Sequence, residues 1–240
     1  MRVAAIIPAF NEESSLPLVL QAIPAGLLSE VVVVDNGSTD ETARMARAHG
    51  ATVLSEPRRG YGRGCLTGID CWRSRRPDIA VFLDADYSDH PEELPLLLEP
   101  LRRGEADLAI GARTRNRREP GSMLPQAIFG NWLATRLIRV PHGDRFTDLG
   151  PFRARCFDCL LALEMRDPDF GWTAEIQIRV LARGLRTQEV PVSYRRRVGV
   201  SKITGTRCGA LHADVKILWT ILRAQAGGRE RAGWRSGRRT

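Results

Sequence analysis

VVVVDNGSTDET, Val31–Thr42, sets four valines side by side and ends them with an acid, an amide and a glycine. A strand with one wet face alternates apolar and polar residues, whereas four valines in a row require cover on both faces. The Asp35-Asn36-Gly37 step ends that strand in a turn. Ser38 or Thr39 then stands where a side-chain oxygen would cap a helix over Asp40–His49. A buried strand turning directly into a helix is the repeating unit of a parallel sheet.

The same rhythm extends in both directions. Val3–Ile7 is an apolar strand closed by Pro8, and Glu12–Ala22 has helical spacing. Thr52–Ser55, Ala80–Leu83 and Asp107–Gly111 read as further strands, while Cys65–Arg73 and Pro91–Leu101 read as helices, the second opened by its proline. The expected fold class is α/β, a mostly parallel Rossmann-like sheet with helices on both faces. Such sheets bind ligands beyond the carboxyl ends of their strands. PAFNEE (Pro8–Glu13), DNGSTD (Asp35–Asp40) and DADYSD (Asp84–Asp89) should therefore line one crevice.

Past Gly111 the rhythm changes. Arg113–Ser122 is basic and contains glycine and proline, which predicts a mobile loop. Leu124–Val140 reads as an amphipathic helix, Thr147–Arg153 as a short strand near the crevice, and Thr173–Arg183 as a helix ended by Gly184. Thr187–Tyr194 alternates as a strand and Arg195–Thr206 is a basic loop. The division predicted is 1–111 and 112–209 within one domain, then an amphipathic helix over 210–226 and a disordered basic tail over 227–240.

Bulk properties bound the function. The chain has 240 residues, 43% of them hydrophobic, and a net charge of +8, which suits one large α/β domain with anionic partners. All its basic residues except Lys202 and Lys216 are arginine. No apolar run approaches the roughly 20 residues that span a bilayer, and no signal peptide is visible. Five cysteines, an odd number, fit no disulfide framework. A reduced, cytoplasmic protein is expected. The lone CxxC at Cys156 and Cys159 lies in an amphipathic stretch and reads as buried thiols. The arginine clusters lack interleaved aromatics apart from Tyr61 and Tyr194, which disfavours a nucleic-acid module.

Chemistry concentrates at the strand ends. Asp84 and Asp86, spaced i, i+2 at a turn, suit a hard divalent cation, which takes one or two carboxylates plus substrate phosphates. The alternative is a solvated turn that caps the next helix. Asp89 is expected to favour the N-terminus of the helix near Pro91. Asp35 suits a hydrogen bond to a base or ribose, or a turn contact with Gly37. Arg58, Arg59 and Arg63 surround Gly60, Gly62 and Gly64, a pattern for close backbone approach and forked phosphate contacts. A GxGxxG after the first strand and a Walker A motif are both absent, which argues against NAD enzymes and P-loop NTPases. PAFNEESS occupies the place where a nucleotidyltransferase carries a Gly-rich basic loop.

Taken in order, IIPAFNEE, VVVVDNGSTDET, FLDADYSDHPEEL, TDLGPFRA, GWTAEIQIRVLARG and EVPVSYRRRVGVSK resemble family 2 glycosyltransferases of the GT-A fold. The similarity runs from about Arg2 to Thr206 and is greatest toward dolichyl-phosphate mannose and polyprenyl-phosphate glucose synthases. It implies a nucleotide-sugar site made by Pro8, Ala9, Phe10, Asn11, Glu12, Asp35, Gly37, Arg63, Asp84, Ala85, Asp86 and Arg113. It implies Mg2+ or Mn2+ on Asp86 and Asp84. It further implies reacting-centre roles for Asp148 and Glu175, and phosphate binding by Arg196 and Lys202 of an RxxGxSK pattern. The implied reaction is transfer of a hexose, with inversion, from UDP-glucose or GDP-mannose to a polyprenyl phosphate; a soluble hydroxyl acceptor is the alternative. One departure is the absence of C-terminal membrane helices, so contact with the inner face of a membrane would be peripheral, through 210–240. A homodimer is left open.

Overall fold

The computed structural model describes residues 1–142, 146–199 and 216–223. Among them runs a seven-stranded sheet in the order β3-β2-β1-β4-β6-β5-β7. Its left half is β1 (Val3–Ala9), β2 (Glu30–Asp35), β3 (Thr52–Ser55) and β4 (Ile79–Phe82), all parallel. The helices between them are α1 (Leu16–Ala22), α2 (Thr42–Ala48) and α3 (Tyr61–Cys71). Continuous valine and isoleucine runs form β1, β2 and β4 because both faces are covered. On one face Ile6, Val32 and Phe82 pack with Cys65 and Ile69 of α3, with Trp72 just after it, and with Trp172 and Ile176. On the other, Ile7, Val33 and Leu83 pack with Leu16 and Val19 of α1 and with Leu94, Leu97 and Leu98 of α4 (Leu94–Arg102).

The right half is made by β5 (Leu108–Arg118), β6 (Arg153–Cys156) and β7 (Thr187–Tyr194), with α5 (Pro125–His142), α6 (Phe157–Ala162) and α7 (Trp172–Ala182). Here the structure corrects two expectations. Arg113–Ser122 is not all loop: β5 continues to Arg118 and pairs with β7 as far as Arg118–Tyr194 across a bulge. The strand expected over Thr147–Arg153 lies later, at Arg153–Cys156, and runs antiparallel between β4 and β5. Residue 111, the expected boundary between the two halves of the domain, lies within β5 of this one sheet. The second strand was hidden because Arg153 and Arg155, both wholly buried, occupy its centre. Arg153 is tolerated there because its guanidinium donates to the carbonyls of Leu149, Gly150 and Thr173.

A further helix covers 216–223. It tucks Ile221 into the core and leaves Trp219 and Leu222 exposed. It lies within the 210–226 segment for which an amphipathic helix is expected; the remainder of that segment, and the tail expected over 227–240, lie outside the described residues.

Candidate active site

Three strand-end loops are stapled to one another. After β1 the chain turns at Asn11, whose φ of +54° is a left-handed value that asparagine tolerates. Asn11 Oδ1 accepts the Thr39 N–H at 2.8 Å, while Ser38 Oγ accepts the Asn11 N–H at 2.9 Å. Ser38 is thus spent on the neighbouring loop and does not cap α2; Asp40 accepts the Thr42 N–H instead, at 3.0 Å. Asn36 joins the third loop, donating to the carbonyls of Glu56 and Arg58 and accepting the Gly60 N–H. The result is a cleft of about 370 Å³ lined by Pro8, Ala9, Phe10, Glu12, Asn36, Arg59, Gly60, Tyr61, Asp84, Ala85, Asp86, Asp169, Phe170 and Arg197. Arg59 stacks its guanidinium 3.4 Å above the Phe10 ring, a flat cationic platform at one end.

The carboxylates of DADYSD gather at the other end. Tyr87 takes φ +63°, uncommon for a bulky residue and costly by about 1–2 kcal/mol. Asp86 Oδ1 holds this reversal by accepting the Ser88 N–H and hydroxyl at 2.9 and 2.6 Å, and Arg195 stacks 3.9 Å over the Tyr87 ring. The reversal turns Asp89 inward. It is 1% exposed, with neither oxygen hydrogen-bonded, so it does not serve the solvent-side helix start expected of it. Asp84 Oδ1 is likewise shielded without a partner. Burial first, and then the charge of Asp86, push the Asp84 carboxyl up to about 7. Burial and the charges of Asp84 and Asp86 push Asp89 in the same direction.

Among the described residues, one cation answers these acids directly. Arg197 Nη2 lies 2.7 Å from Asp86 Oδ2. It is carried there because the chain leaving β7 runs back along the acid loop, with Arg195 N–H donating to Ser88 O and Val198 N–H to Asp86 O. The predicted Arg196 faces away, its guanidinium donating to the Pro120 carbonyl. Arg197 was missed because three arginines stand in a row beyond β7, whose alternation, with Val192 and Tyr194 inward, points to Arg196 instead.

Of the other residues implied by resemblance, Pro8, Ala9, Phe10, Glu12, Asp84, Ala85 and Asp86 come together in the cleft. Asn11, Asp35 and Gly37 do not line it. Asp35 Oδ1 accepts the Ser38 N–H, and Gly37 takes φ +77° in that turn, so both shape the wall behind. Arg63 also lies off the lining, its N–H donating to Pro168 O. Arg113 lines a neighbouring cavity and binds Asp148 in a fork, with Nη2–Oδ1 at 2.5 Å and Nε–Oδ2 at 2.8 Å. Asp148 is therefore buried and engaged. Glu175 is engaged as well, accepting the N–H groups of Arg166 and Asp167 and pairing with Arg179 at 2.7 Å. It anchors the 166–171 loop and lines none of the cavities described here. Lys202 lies outside the described residues.

The neighbouring cavity, about 230 Å³, is an apolar vestibule between α5 and the 216–223 helix. Met123, Ala127, Leu149, Pro151, Ile217 and Leu218 form its sides, and it shares Tyr61, Asp84, Phe170 and Arg197 with the cleft. As for a metal, no three acidic, histidine or cysteine side chains close on one point among the described residues. A pair of carboxylates with an orphaned, buried oxygen fits a hard cation that completes its shell from phosphate and water.

An open, mostly parallel sheet whose strand ends converge on paired carboxylates and arginines defines a glycosyltransferase of the GT-A fold. The model of glycosyl transferase family 2 matches residues 4–161, and the chain belongs to that family. It is similar to an uncharacterised glycosyltransferase of Mycobacterium tuberculosis, 38% identical over 222 residues that cover 92% of this chain and 97% of the relative. It is also similar to an undecaprenyl-phosphate mannosyltransferase of Micrococcus luteus, 33% identical over 251 residues that cover 95% and 100%. Among solved structures it resembles glucosyl-3-phosphoglycerate synthase of Mycobacterium tuberculosis, crystallised with Mn2+ and UDP-glucose. The TM-score is 0.73 at 24% identity, over 93% of this chain and 78% of that one. No described helix is long and apolar enough to cross a membrane.

Proposed function

We propose that the enzyme transfers a hexose from UDP-glucose or GDP-mannose to a polyprenyl phosphate, with Mg2+ or Mn2+ bound at the donor diphosphate. The observation that carries this reading is the wall shared by the two cavities. Asp84 and Arg197 face both an acid- and arginine-lined cleft and an apolar vestibule. A donor seated along Pro8–Glu12, with its base beside Phe10 and Arg59, directs its diphosphate toward Asp84 and Asp86. An acceptor phosphate reaches the same wall from the vestibule, with its hydrocarbon chain along Met123, Ala127 and Ile217. The relative from Micrococcus luteus is named for an undecaprenyl-phosphate acceptor, which supports the assignment.

A phosphate acceptor is already anionic near neutral pH, so its oxygen attacks without a general base. That fits Asp148 and Glu175, whose carboxylates are taken by arginines and backbone N–H groups. The new bond from the acceptor oxygen to the anomeric carbon forms as the bond to the diphosphate breaks, with inversion. A divalent cation on Asp84 and Asp86 would neutralise charge on the leaving diphosphate. Arg197 is free to transfer from Asp86 to that developing charge, where a preorganised donor in a dry site acts most strongly. Contact with the membrane that carries the acceptor is peripheral, with 210–240 one route to it.

The test incubates the protein with Mg2+ or Mn2+, a polyprenyl phosphate and labelled UDP-glucose or GDP-mannose, then extracts with organic solvent. Metal-dependent label in the organic phase is expected. It should be lost in Asp86→Ala and fall roughly 10²–10³-fold in Arg197→Ala. Nucleoside diphosphate released only when a soluble hydroxyl compound is supplied would overturn the lipid-phosphate acceptor.

A further inference from the structure

On the far side of the vestibule from the donor cleft, α5 and the residue before it present an apolar stripe that none of the described residues covers. Leu124, Ile128 and Trp132 recur at i, i+4 and i+8, with Phe129 beside them. They are 42%, 42%, 52% and 61% exposed, whereas Ala134 and Ile138 of the same helix are buried in the core. A surface helix ordinarily turns such a stripe inward. The Phe129 and Trp132 rings pack on each other, with centroids 5.7 Å apart.

The stripe runs into arginines. A well of about 500 Å³ lies against α5 and the outer end of β5, lined by Trp132, Phe146, Asp148 and Arg113 together with Arg115, Arg118, Arg136 and Arg139. Its one acid, Asp148, is taken by Arg113. Among the described residues no carboxylate pairs with the other four arginines. Arg118 meets only the Met123 sulfur, and Arg136 lies 5.8 Å over the Trp132 ring.

We infer that this face docks on an anionic lipid bilayer, with the α5 stripe at the acyl boundary and the arginines on the headgroup phosphates. Aromatic rings next to arginine suit an interface that is oily on one side and charged on the other. Two features favour lipid over a nucleic acid. Leu124 and Ile128 offer no flat surface on which a base could stack, and the aromatic rings are occupied with each other. The inference is independent of the donor and of the acceptor. It concerns α5 and not the 210–240 segment, and it sets the vestibule against the bilayer surface.

Flotation of the full chain with phosphatidylglycerol–phosphatidylcholine vesicles tests it. Binding is expected at low salt, weakened by salt and by omission of the anionic lipid. Phe129→Ser with Trp132→Ser should lower it at least tenfold, to order of magnitude. Arg115→Glu with Arg139→Glu should lower it by roughly fivefold or more per arginine. Trp132→Phe should bind like the wild type and lose part of the tryptophan quenching by brominated acyl chains. Full binding by both double variants, or quenching unchanged in Trp132→Phe, would assign membrane contact elsewhere and overturn the proposal. So would absence of vesicle binding, whether the face then pairs with a second copy in sedimentation velocity or retards a single-stranded RNA in a gel.

Discussion

Asp84 combines two demands that conflict in the ligand-free enzyme. Its carboxyl is shielded from water and lies beside Asp86, which raises it from 3.8 to about 7. Between those values the folded chain keeps a proton that the unfolded chain releases. Folding stability therefore falls as pH rises from about 4 to about 7 and stays low above that range. Asp89 acts with the same sign. Asp84→Asn is expected to raise the Tm of the metal-free protein at about pH 8, by about 2–4 °C for each kcal/mol recovered. The gain should shrink as pH approaches about 4. Scanning fluorimetry in chelator across that range measures it, and a variant no more stable at about pH 8 would assign the proton to another member of the cluster. The site is thus held at some expense of stability, as active sites commonly are.

At the scale of elements, α3 shows what its glycines are for. Sequence reasoning placed Gly60–Gly64 beside phosphate. In the structure a Cβ on Gly62 would collide with the Asp167 carbonyl and lie 2.8 Å from Asp169 N, and one on Gly64 would lie 2.9 Å from Pro8 Cβ. Gly62 lets the first turn of α3 press on the 167–169 loop, which presents Asp169 and Phe170 to the cleft, and Gly64 lets it press on Pro8 of β1. Gly62→Ala should lower stability by about 1–3 kcal/mol, the usual range for overpacking, and raise the donor KM. Gly26→Ala, at φ +72° in open space, should cost about 1–2 kcal/mol and leave the donor KM unchanged. Thermal melts with initial-rate kinetics separate the two. The same contrast explains what was legible beforehand. Strands β1, β2 and β4 were readable because burial on both faces writes itself as unbroken apolar runs, and the acid loop because carboxylates rarely follow a buried strand. The outer half of β5 and all of β6 were not, since arginines interrupt the apolar pattern there, and contacts such as Arg113 with Asp148 and Arg153 with the Thr173 carbonyl appear only in three dimensions. Asp148 and Glu175 were named from the resemblance as reacting-centre residues, and their arginine partners, Arg113 and Arg179, appear only in three dimensions.

Across the described residues, one sheet carries both cavities, and the excess positive charge includes a face on α5 and β5 where no described carboxylate pairs with Arg115, Arg118, Arg136 or Arg139. The structure joins the cavities through a short run of chain. Phe170 lines both, Asp167 accepts the Thr220 hydroxyl at 3.0 Å, and Lys216 reaches to 4.0 Å from Asp169. The 216–223 helix that walls the vestibule is therefore tied to the loop that walls the donor cleft. A nucleotide settling against Phe170 fixes the shape of the vestibule as well. The kinetic consequence is a compulsory sequence of events, with the nucleotide sugar entering first and the nucleoside diphosphate leaving last. Product inhibition by the diphosphate should then be competitive with the donor, and a dead-end analogue of the acceptor uncompetitive against it. A random mechanism, in which the acceptor analogue is noncompetitive against the donor, would mean that the shared residue joins two rooms without a door between them.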